Sequence, residues 1–397
     1  MSNGESAKPI PSVTLSVSKG DGAQTLDYST ESQALDREIL GVVNAWHQHG
    51  AELTQGEFND LALRLFDYQL RYNAPYARYC ERLGVTRDAF PTSWEAIPAI
   101  PAPAFKEATL ATFDVRDAAL TFETSGTTDG KPGRHYLETA ELYDAALLAG
   151  FDRFMLADNA TLRYFNCVPN PRESPHSSLG YMMKRVAEAR GDGETGWYLR
   201  DDELLFETLK SDLRDLVAQR RPVCLAATAF ALLHMLDAME ADGLRVSLPP
   251  GSRIMETGGF KGRSRMVSRE QLYERTCDRF GVDPDAVVAE YGMTELSSQY
   301  YDRVRVGAAV PDRRKIAPPW LRARLVGPDR ATLPRGEIGS ILHVDLANRS
   351  SCIAIQTEDL GVQYDDGLVL IGRDVDVEPR GCSLDAEDLR QRRSGLG

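Results

Sequence analysis

The sequence predicts an α/β fold with a β-rich end piece. From about residue 118, short apolar runs alternate with helical patterns, the rhythm of strands and helices packed in layers. Past Pro318 the texture changes to apolar runs separated by Gly, Asp and Asn turns. At 397 residues and 42% hydrophobic content, the chain has room for two or three domains and can bury a substantial core.

Taken in order, residues 1–30 are polar and without periodicity, and read as a flexible tail with a short β-element at Val13–Val17. A helical opening region covers 31–104, its pattern clearest from Ser32 to Gly84. Thr54-Gln-Gly-Glu57 has the form of a capping box, in which hydroxyl and carboxylate satisfy backbone donors at a helix start. Phe58, Leu61 and Leu65 then fall on one helical face. Pro91, Pro98, Pro101 and Pro103 punctuate an extended connection. The α/β core is expected over 105–317. Its strands are expected at Leu120–Phe122, Leu162–Val168, Val223–Ala226, Arg253–Met255 and Val287–Ala289. Its helices are expected at Ala140–Phe154, Glu203–Gln219, Ala229–Ala241 and Arg269–Phe280. A β-rich subdomain is expected over 318–372, with strands at Ile338–Val344, Cys352–Gln356 and Leu368–Ile371. Residues 373–397 form a short tail.

Composition excludes several classes of function. Lys and Arg number 46 against 59 Asp and Glu, giving a net charge of −13. A general nucleic-acid binder needs a basic face, and an anionic membrane surface would be repelled. None of the six cysteines forms a C-x-x-C pair, which disfavours a zinc ribbon or a thioredoxin-like site. Sparse cysteines suit a reducing compartment, and Cys167, Cys224 and Cys277 read as small apolar packing residues. No apolar stretch is long enough to span a membrane, and the first residues lack a signal-peptide pattern, so a cytoplasmic protein is expected. His47-Gln-His49 reads as a solvated helix face without metal partners.

Four segments carry chemistry. Thr124-Ser125-Gly126-Thr127-Thr128-Asp129-Gly130-Lys131-Pro132 follows a strand. Its glycines let backbone N–H groups approach an anion, its hydroxyls add donors, and Lys131 adds charge, a set suited to polyphosphate. It is not a Walker A loop, which needs four residues between the glycines and then Lys-Ser/Thr. A polar surface turn is the other reading. Glu290-Tyr291-Gly292-Met293-Thr294-Glu295 offers Tyr291 for stacking on a base and Glu295 for a magnesium ion bridging phosphates. The other reading is a strand-to-helix turn capped by Thr294. Thr357-Glu358-Asp359 places a carboxylate at a loop tip, able to accept from both ribose hydroxyls; alone it is equally an acidic turn. Gly372-Arg373 offers a guanidinium to ribose or phosphate oxygens, or a solvated surface charge.

In this order and spacing the four segments resemble the motifs of the ANL superfamily of adenylate-forming enzymes, from about Pro101 to Leu384. The resemblance implies a large N-terminal domain of layered α/β sheets with a small β-rich subdomain. It also implies ATP and Mg²⁺ as cofactors. Thr124, Ser125, Gly126, Thr127 and Thr128 would hold phosphates, with Thr128 and Lys131 catalytic. Gly258, Gly259, Tyr291, Gly292 and Thr294 would frame adenine, Asp359 and Arg373 the ribose, and Glu295 would bind the metal. Three departures stand out: Asp129 is an extra residue in the phosphate loop, Lys131 precedes the proline, and Glu358 stands where Gly is usual.

The family's small C-terminal domain carries a catalytic lysine. Here 24 residues follow Arg373, and no lysine follows Lys315. That domain is therefore expected to be absent, with Lys131 or Lys261 left to supply positive charge. This truncated form resembles the acyl-protein synthetases (LuxE-like) of the bacterial fatty-acid reductase complex that feeds luciferase, and related adenylating enzymes of antibiotic and phenazine pathways. In that branch a cysteine near the C-terminus accepts the acyl group, and Cys382, in Arg380-Gly-Cys-Ser-Leu384, matches it. Arg380 would favour its thiolate. The acyl pocket is expected among Ser178, Tyr181, Met183, Phe230 and Gly259.

The implied activity is ATP-dependent formation of an acyl- or aryl-adenylate from a fatty or aromatic acid, with pyrophosphate released. Acyl transfer follows, through Cys382 to a reductase or transferase partner. Direct delivery to coenzyme A, an amine or a carrier protein is one alternative. A nucleotide-binding protein without turnover is another.

Overall fold

The computed structural model describes residues 28–124, 131–201, 203–258, 267–303 and 313–373. The expected element Val13–Val17 lies outside them.

Three helices open the described chain: α1 (Tyr28–His49), α2 (Gln55–Tyr72) and α3 (Ala74–Arg82). Helix α1 begins at Tyr28, inside the expected tail. The capping box forms as its spacing predicts, with Glu57 N–H donating to Thr54 Oγ1 and Thr54 N–H to Glu57 Oε2. The connection that follows contains β1 (Ile100–Pro101) and the short α4 (Ala104–Glu107). A hairpin comes next, β2 (Leu120–Glu123) with β3 (Arg134–Leu137).

The α/β core runs through α5 (Glu141–Met155), β4 (Leu162–Cys167), α6 (Ser178–Arg190) and β5 (Gly191–Trp197). A two-residue hairpin, β6 (Leu199–Arg200) with β7 (Glu203–Leu204), precedes α7 (Phe206–Ala218). This corrects the expected helix at Glu203–Gln219: Glu203 and Leu204 pair as strand, and the helix starts at Phe206. Next are β8 (Val223–Thr228), α8 (Ala229–Ala241), β9 (Arg253–Thr257), α9 (Arg269–Phe280) and β10 (Val287–Tyr291). The chain then turns all-β: β11 (Tyr300–Asp302), β12 (Lys315–Ile316), β13 (Leu321–Val326), β14 (Ile338–Asp345), β15 (Ala354–Tyr364) and β16 (Gly367–Arg373).

One sheet joins most of these strands, in the order β13-β14-β15-β16-β12-β11-β10-β9-β8-β4-β5, with β1 beside β15. The run from β10 to β5 is parallel; the run from β10 to β13 is antiparallel. A single residue pair, Lys315 with Leu368, connects β12 to β16.

Apart from the exposed edge strand β5, the parallel strands are buried on both faces, as helices on each side require. Side chains alternate between them. Val223 and Leu225 pack against α7, α8 and α9, while Cys224 and Ala226 pack against α5 and α6. The opening helices cover the β-rich end, where Phe58, Leu65 and Phe66 meet Trp320, Val344 and Ile355. Polar ties reinforce this contact. Gln69 Nε2 donates to Asn348 O at 2.8 Å, and Arg349 is buried in a bidentate pair with Asp36 at 2.7 and 2.9 Å and a further pair with Glu138.

His47 is exposed on its helix face, as expected, and its Nε2 lies 2.8 Å from Asp152 on α5. Cys167 and Cys224 are buried as expected, and burial pushes the Cys224 thiol up to about 12. No described helix is long and apolar enough to cross a membrane.

Candidate active site

In open parallel sheets, ligands bind beyond the carboxyl ends of the strands. Here β8, β9 and β10 end side by side, so the residues that follow them share one edge. Thr228 ends β8 and caps α8, accepting from Ala231 N–H at 3.1 Å, which sets Phe230 in the first turn of that helix. Gly258 ends β9 with φ +71, a left-handed conformation that glycine adopts without strain. Tyr291 and Gly292 end β10. Thr257 Oγ1 donates to Glu290 Oε2 and locks the two strand ends together. A Cβ at Gly292 would sit 2.6 Å from Glu290 Oε1, so a larger residue there would have to displace the Glu290 carboxylate.

The hairpin β2–β3 carries the expected phosphate loop. Its neck is closed by Thr124 N–H to Gly133 O and by Gly133 N–H to Thr124 Oγ1, both 2.9 Å. Lys131 is exposed at the far side of the loop. Ser125, Gly126, Thr127, Thr128, Gly259, Lys261 and Cys382 lie outside the described residues.

Strand β3 also reaches the β10 turn. His135 is fully buried, and its Nδ1 lies 2.8 Å from Thr294 O. A carbonyl only accepts, so Nδ1 carries the proton and Nε2 the lone pair. Burial lowers the His135 pKa to about 4, so the ring is neutral; Nε2 has no partner among the described residues. The neck of the β2–β3 hairpin is thereby anchored beside Thr294 and Glu295. Glu295 is 7% exposed, and its carbonyl accepts from Asn348 Nδ2 at 2.9 Å. Thr294 caps no helix: the segment turns directly into the antiparallel strand β11.

Asp359 is not at a loop tip. It lies within β15, in a bulge. Leu342 pairs with Gln356 and Ser340 with Leu360, so Thr357, Glu358 and Asp359 together oppose Ile341. Thr357 Oγ1 compensates by donating to Ile341 O at 3.0 Å and accepting from Asp359 N–H at 3.2 Å. A second bulge on β16 skips Ile371 and leaves Arg373 opposite Asp359. Bulges re-aim side chains. This one brings Asp359 Oδ2 within 2.8 Å of the Tyr291 hydroxyl, joining two of the expected segments.

The expected acyl-pocket residues divide. Ser178 opens α6 behind the cap Ser177, and the neighbouring His176 O accepts from Glu123 N–H at 2.9 Å, beside the neck of the phosphate loop. Tyr181 donates to Asp144 Oδ1 at 2.8 Å and packs on Phe122 and Tyr143. Met183 is fully buried in the core. Phe230 packs on His234 of its own helix, with ring centroids 4.2 Å apart.

A buried polar cluster near β10 escapes sequence reading because its members come from separate segments of the chain. Behind β10, Glu256, Glu290, Asp302, Lys315 and Arg313 are all buried. Burial raises the Glu290 carboxyl to about 7 and also raises Glu256; it lowers Lys315, against the pull of Asp302. His343 on β14 lies between the hydroxyls of Tyr300 and Tyr291.

A parallel sheet flanked by helices and continued by a bulged antiparallel end resembles, in fold, the adenylate-forming (ANL) ligases. Among solved structures, 2-hydroxyisobutyryl-CoA ligase, determined with 2-HIB-AMP and CoA, matches with TM-score 0.57 and 15% identity, covering 86% of this chain and 68% of that one. ATP-bound MatB from Rhodopseudomonas palustris matches with TM-score 0.46 and 19% identity over 68% of this chain, which spans about half (51%) of that protein. The chain belongs to the LuxE family of acyl-protein synthetases, which are ligases: the family profile matches residues 49–387. The long-chain-fatty-acid–luciferin-component ligase of Vibrio harveyi is 22% identical over 364 residues, 88% of this chain and 91% of that one.

Proposed function

We propose that this protein activates a carboxylic acid, fatty or aromatic, with ATP and then passes on the acyl group. The observation that carries this reading is the convergence of Tyr291, Asp359 and the Glu295 turn on the edge where the phosphate loop is anchored. A carboxylate is a poor electrophile because its leaving group would be oxide. Its oxygen attacks the α-phosphorus of ATP, the bond to the bridging oxygen breaks, and pyrophosphate leaves. A thiolate then attacks the carbonyl carbon of the acyl-adenylate, the C–O bond breaks, AMP departs, and a thioester remains.

In this reading the loop from Thr124 to Thr128 holds phosphates, and Gly258, Gly259, Tyr291, Gly292 and Thr294 frame adenine. Asp359 and Arg373 hold the ribose, and Ser178, Tyr181 and Phe230 border the acyl group. Lys131 is assigned to supply positive charge to the phosphates. No group of three or more His, Cys, Asp or Glu converges among the described residues. Mg²⁺ needs only one or two carboxylates, with phosphate oxygens and water completing its shell. Glu295 is the carboxylate assigned to it. When bound, the ion offsets charge developing on pyrophosphate. Cys382 is assigned as acyl acceptor ahead of a reductase or transferase partner.

The test is intact-protein mass spectrometry after incubation with ATP, magnesium and a pool of fatty and aromatic acids, for wild type and Cys382→Ser. The expected result is a thiol-cleavable adduct on wild type alone, with pyrophosphate release from both. Pyrophosphate release without an adduct would overturn the role of Cys382 and point to a separate acceptor. Absence of pyrophosphate exchange with every acid would overturn the activation itself.

A further inference from the structure

We propose that His343 is a positioning residue for nucleotide selection, holding Tyr291 and Asp359 in the arrangement that distinguishes ribose from 2′-deoxyribose. The inference rests on the reading of Asp359 as the ribose acceptor.

Three rings form a buried triangle. Ring centroids lie 5.4 Å apart for Tyr300 and His343, 5.7 Å for Tyr291 and Tyr300, and 5.9 Å for Tyr291 and His343. His343 and Tyr300 are no more than 1% exposed. Tyr300 Oη lies 2.8 Å from His343 Nδ1, His343 Nε2 lies 3.4 Å from Tyr291 Oη, and Tyr291 Oη lies 2.8 Å from Asp359 Oδ2.

Proton counting fixes every direction in this chain. The Tyr291 hydroxyl has one proton, and the carboxylate needs it. Toward His343 the same oxygen therefore accepts, which puts a proton on Nε2. Burial lowers the imidazole to about 4, so the ring is neutral and carries only that proton. Nδ1 is then bare, and Tyr300 donates to it. The relay runs one way, from Tyr300 through His343 and Tyr291 to Asp359, and each bond polarises the next.

An imidazole in this position is costly unless both nitrogens are satisfied, whereas a Phe would fill much the same space without that demand. What the imidazole adds is direction. It orients the Tyr291 hydroxyl, and that hydroxyl in turn orients the Asp359 carboxylate, which sits in the bulge at Thr357–Asp359. A carboxylate held in one orientation can demand two hydroxyls from the sugar; one that rotates can settle for one.

The test compares ATP with 2′-deoxy-ATP in acid-dependent pyrophosphate exchange by the full-length protein. The variants are His343→Phe, Tyr300→Phe and Asp359→Asn, with thermal unfolding run on each. Asp359→Asn is expected to abolish most of the preference for ATP. His343→Phe is expected to cut that preference about tenfold, the scale of one net hydrogen bond, through KM more than kcat. Tyr300→Phe keeps the ring but removes the donor that sets the tautomer, and is expected to cut the preference by a smaller factor. It also serves if His343→Phe fails to fold. The proposal is overturned if folded His343→Phe or Tyr300→Phe loses affinity for both nucleotides equally, or for neither, while Asp359→Asn loses the preference. If Asp359→Asn itself keeps the preference, the ribose reading falls and this inference with it.

Discussion

Glu290→Gln should make the protein more stable at pH 8 and leave it nearly unchanged at pH 4.5. The Glu290 carboxyl is buried at the end of β10, and loss of hydration raises it from 4.5 to about 7. The Thr257 hydroxyl and the Lys315 ammonium pull it down, and Glu256 pushes it up, but burial dominates. Between pH 4.5 and 7 the folded protein holds a proton that the unfolded chain has lost. Stability therefore falls as pH rises through that window, by about 1.4 kcal/mol per pH unit, or about 3 kcal/mol in all. Glutamine has the same shape, still accepts from Thr257, and does not titrate. The assay is urea unfolding of both proteins at half-unit steps from pH 4.5 to 8. Glu256 and Lys315 are common to both, so the difference between the two curves reports Glu290 together with its coupling to those two groups. That difference should grow by about 3 kcal/mol and level off above pH 7. A flat difference, or one that falls with pH, would refute the assignment of a carboxyl kept protonated by burial.

Three further outcomes follow from named contacts. His135→Phe should leave Thr294 O without its buried donor, costing about 1–3 kcal/mol by thermal unfolding and raising KM for ATP by loosening the Glu295 turn. Arg349→Met should strand Asp36 and Glu138 and cost about 3–5 kcal/mol in urea unfolding, since a buried ion pair broken on one side leaves uncompensated charge. Gly372→Ala should destabilise by about 1–3 kcal/mol, because φ is +144 in the β16 bulge, although no neighbour would meet the new methyl group.

The sequence carried the fold where its signals were local. The capping box at Thr54 and the helices at Ala229–Ala241 and Arg269–Phe280 follow from spacing alone and appear with those bounds. Glu203–Leu204 failed for a tertiary reason: an acidic residue before an amphipathic run looks like a helix start, but pairing with Leu199–Arg200 captures it first. Asp359 failed for a related reason. Acidic and polar residues in a row read as a turn, and only the register of β14 shows that they form a bulge inside a strand. His135 and His343 were invisible because a single histidine in an apolar strand has no pattern. Their significance comes from Thr294 and from Tyr291 and Tyr300, which lie far away along the chain.

Lys315 offers a last case in which position decides a role. It is the final lysine of the sequence, and the adenylate-forming enzymes this chain resembles use a lysine against the substrate carboxylate. Its side chain is 1% exposed, however, and its ammonium is committed to Ala289 O at 2.7 Å and to Asp302 Oδ1 at 2.9 Å. A cation so held neutralises the sheet interior and has no path to a ligand at the strand ends. Lys315→Met should then cost about 3–5 kcal/mol, since Asp302 would lose the ammonium 2.9 Å from it, and Arg313 stands 4.0 Å away. Pairing it with Asp302→Asn removes both charges and should recover much of that loss, because the desolvation cost disappears with the attraction. Pyrophosphate exchange per folded molecule separates structure from chemistry. The double variant should retain it within a few-fold. A double variant that regains wild-type unfolding behaviour yet loses exchange about a hundredfold, nearly 3 kcal/mol of barrier, would show that Lys315 acts on the reaction after all.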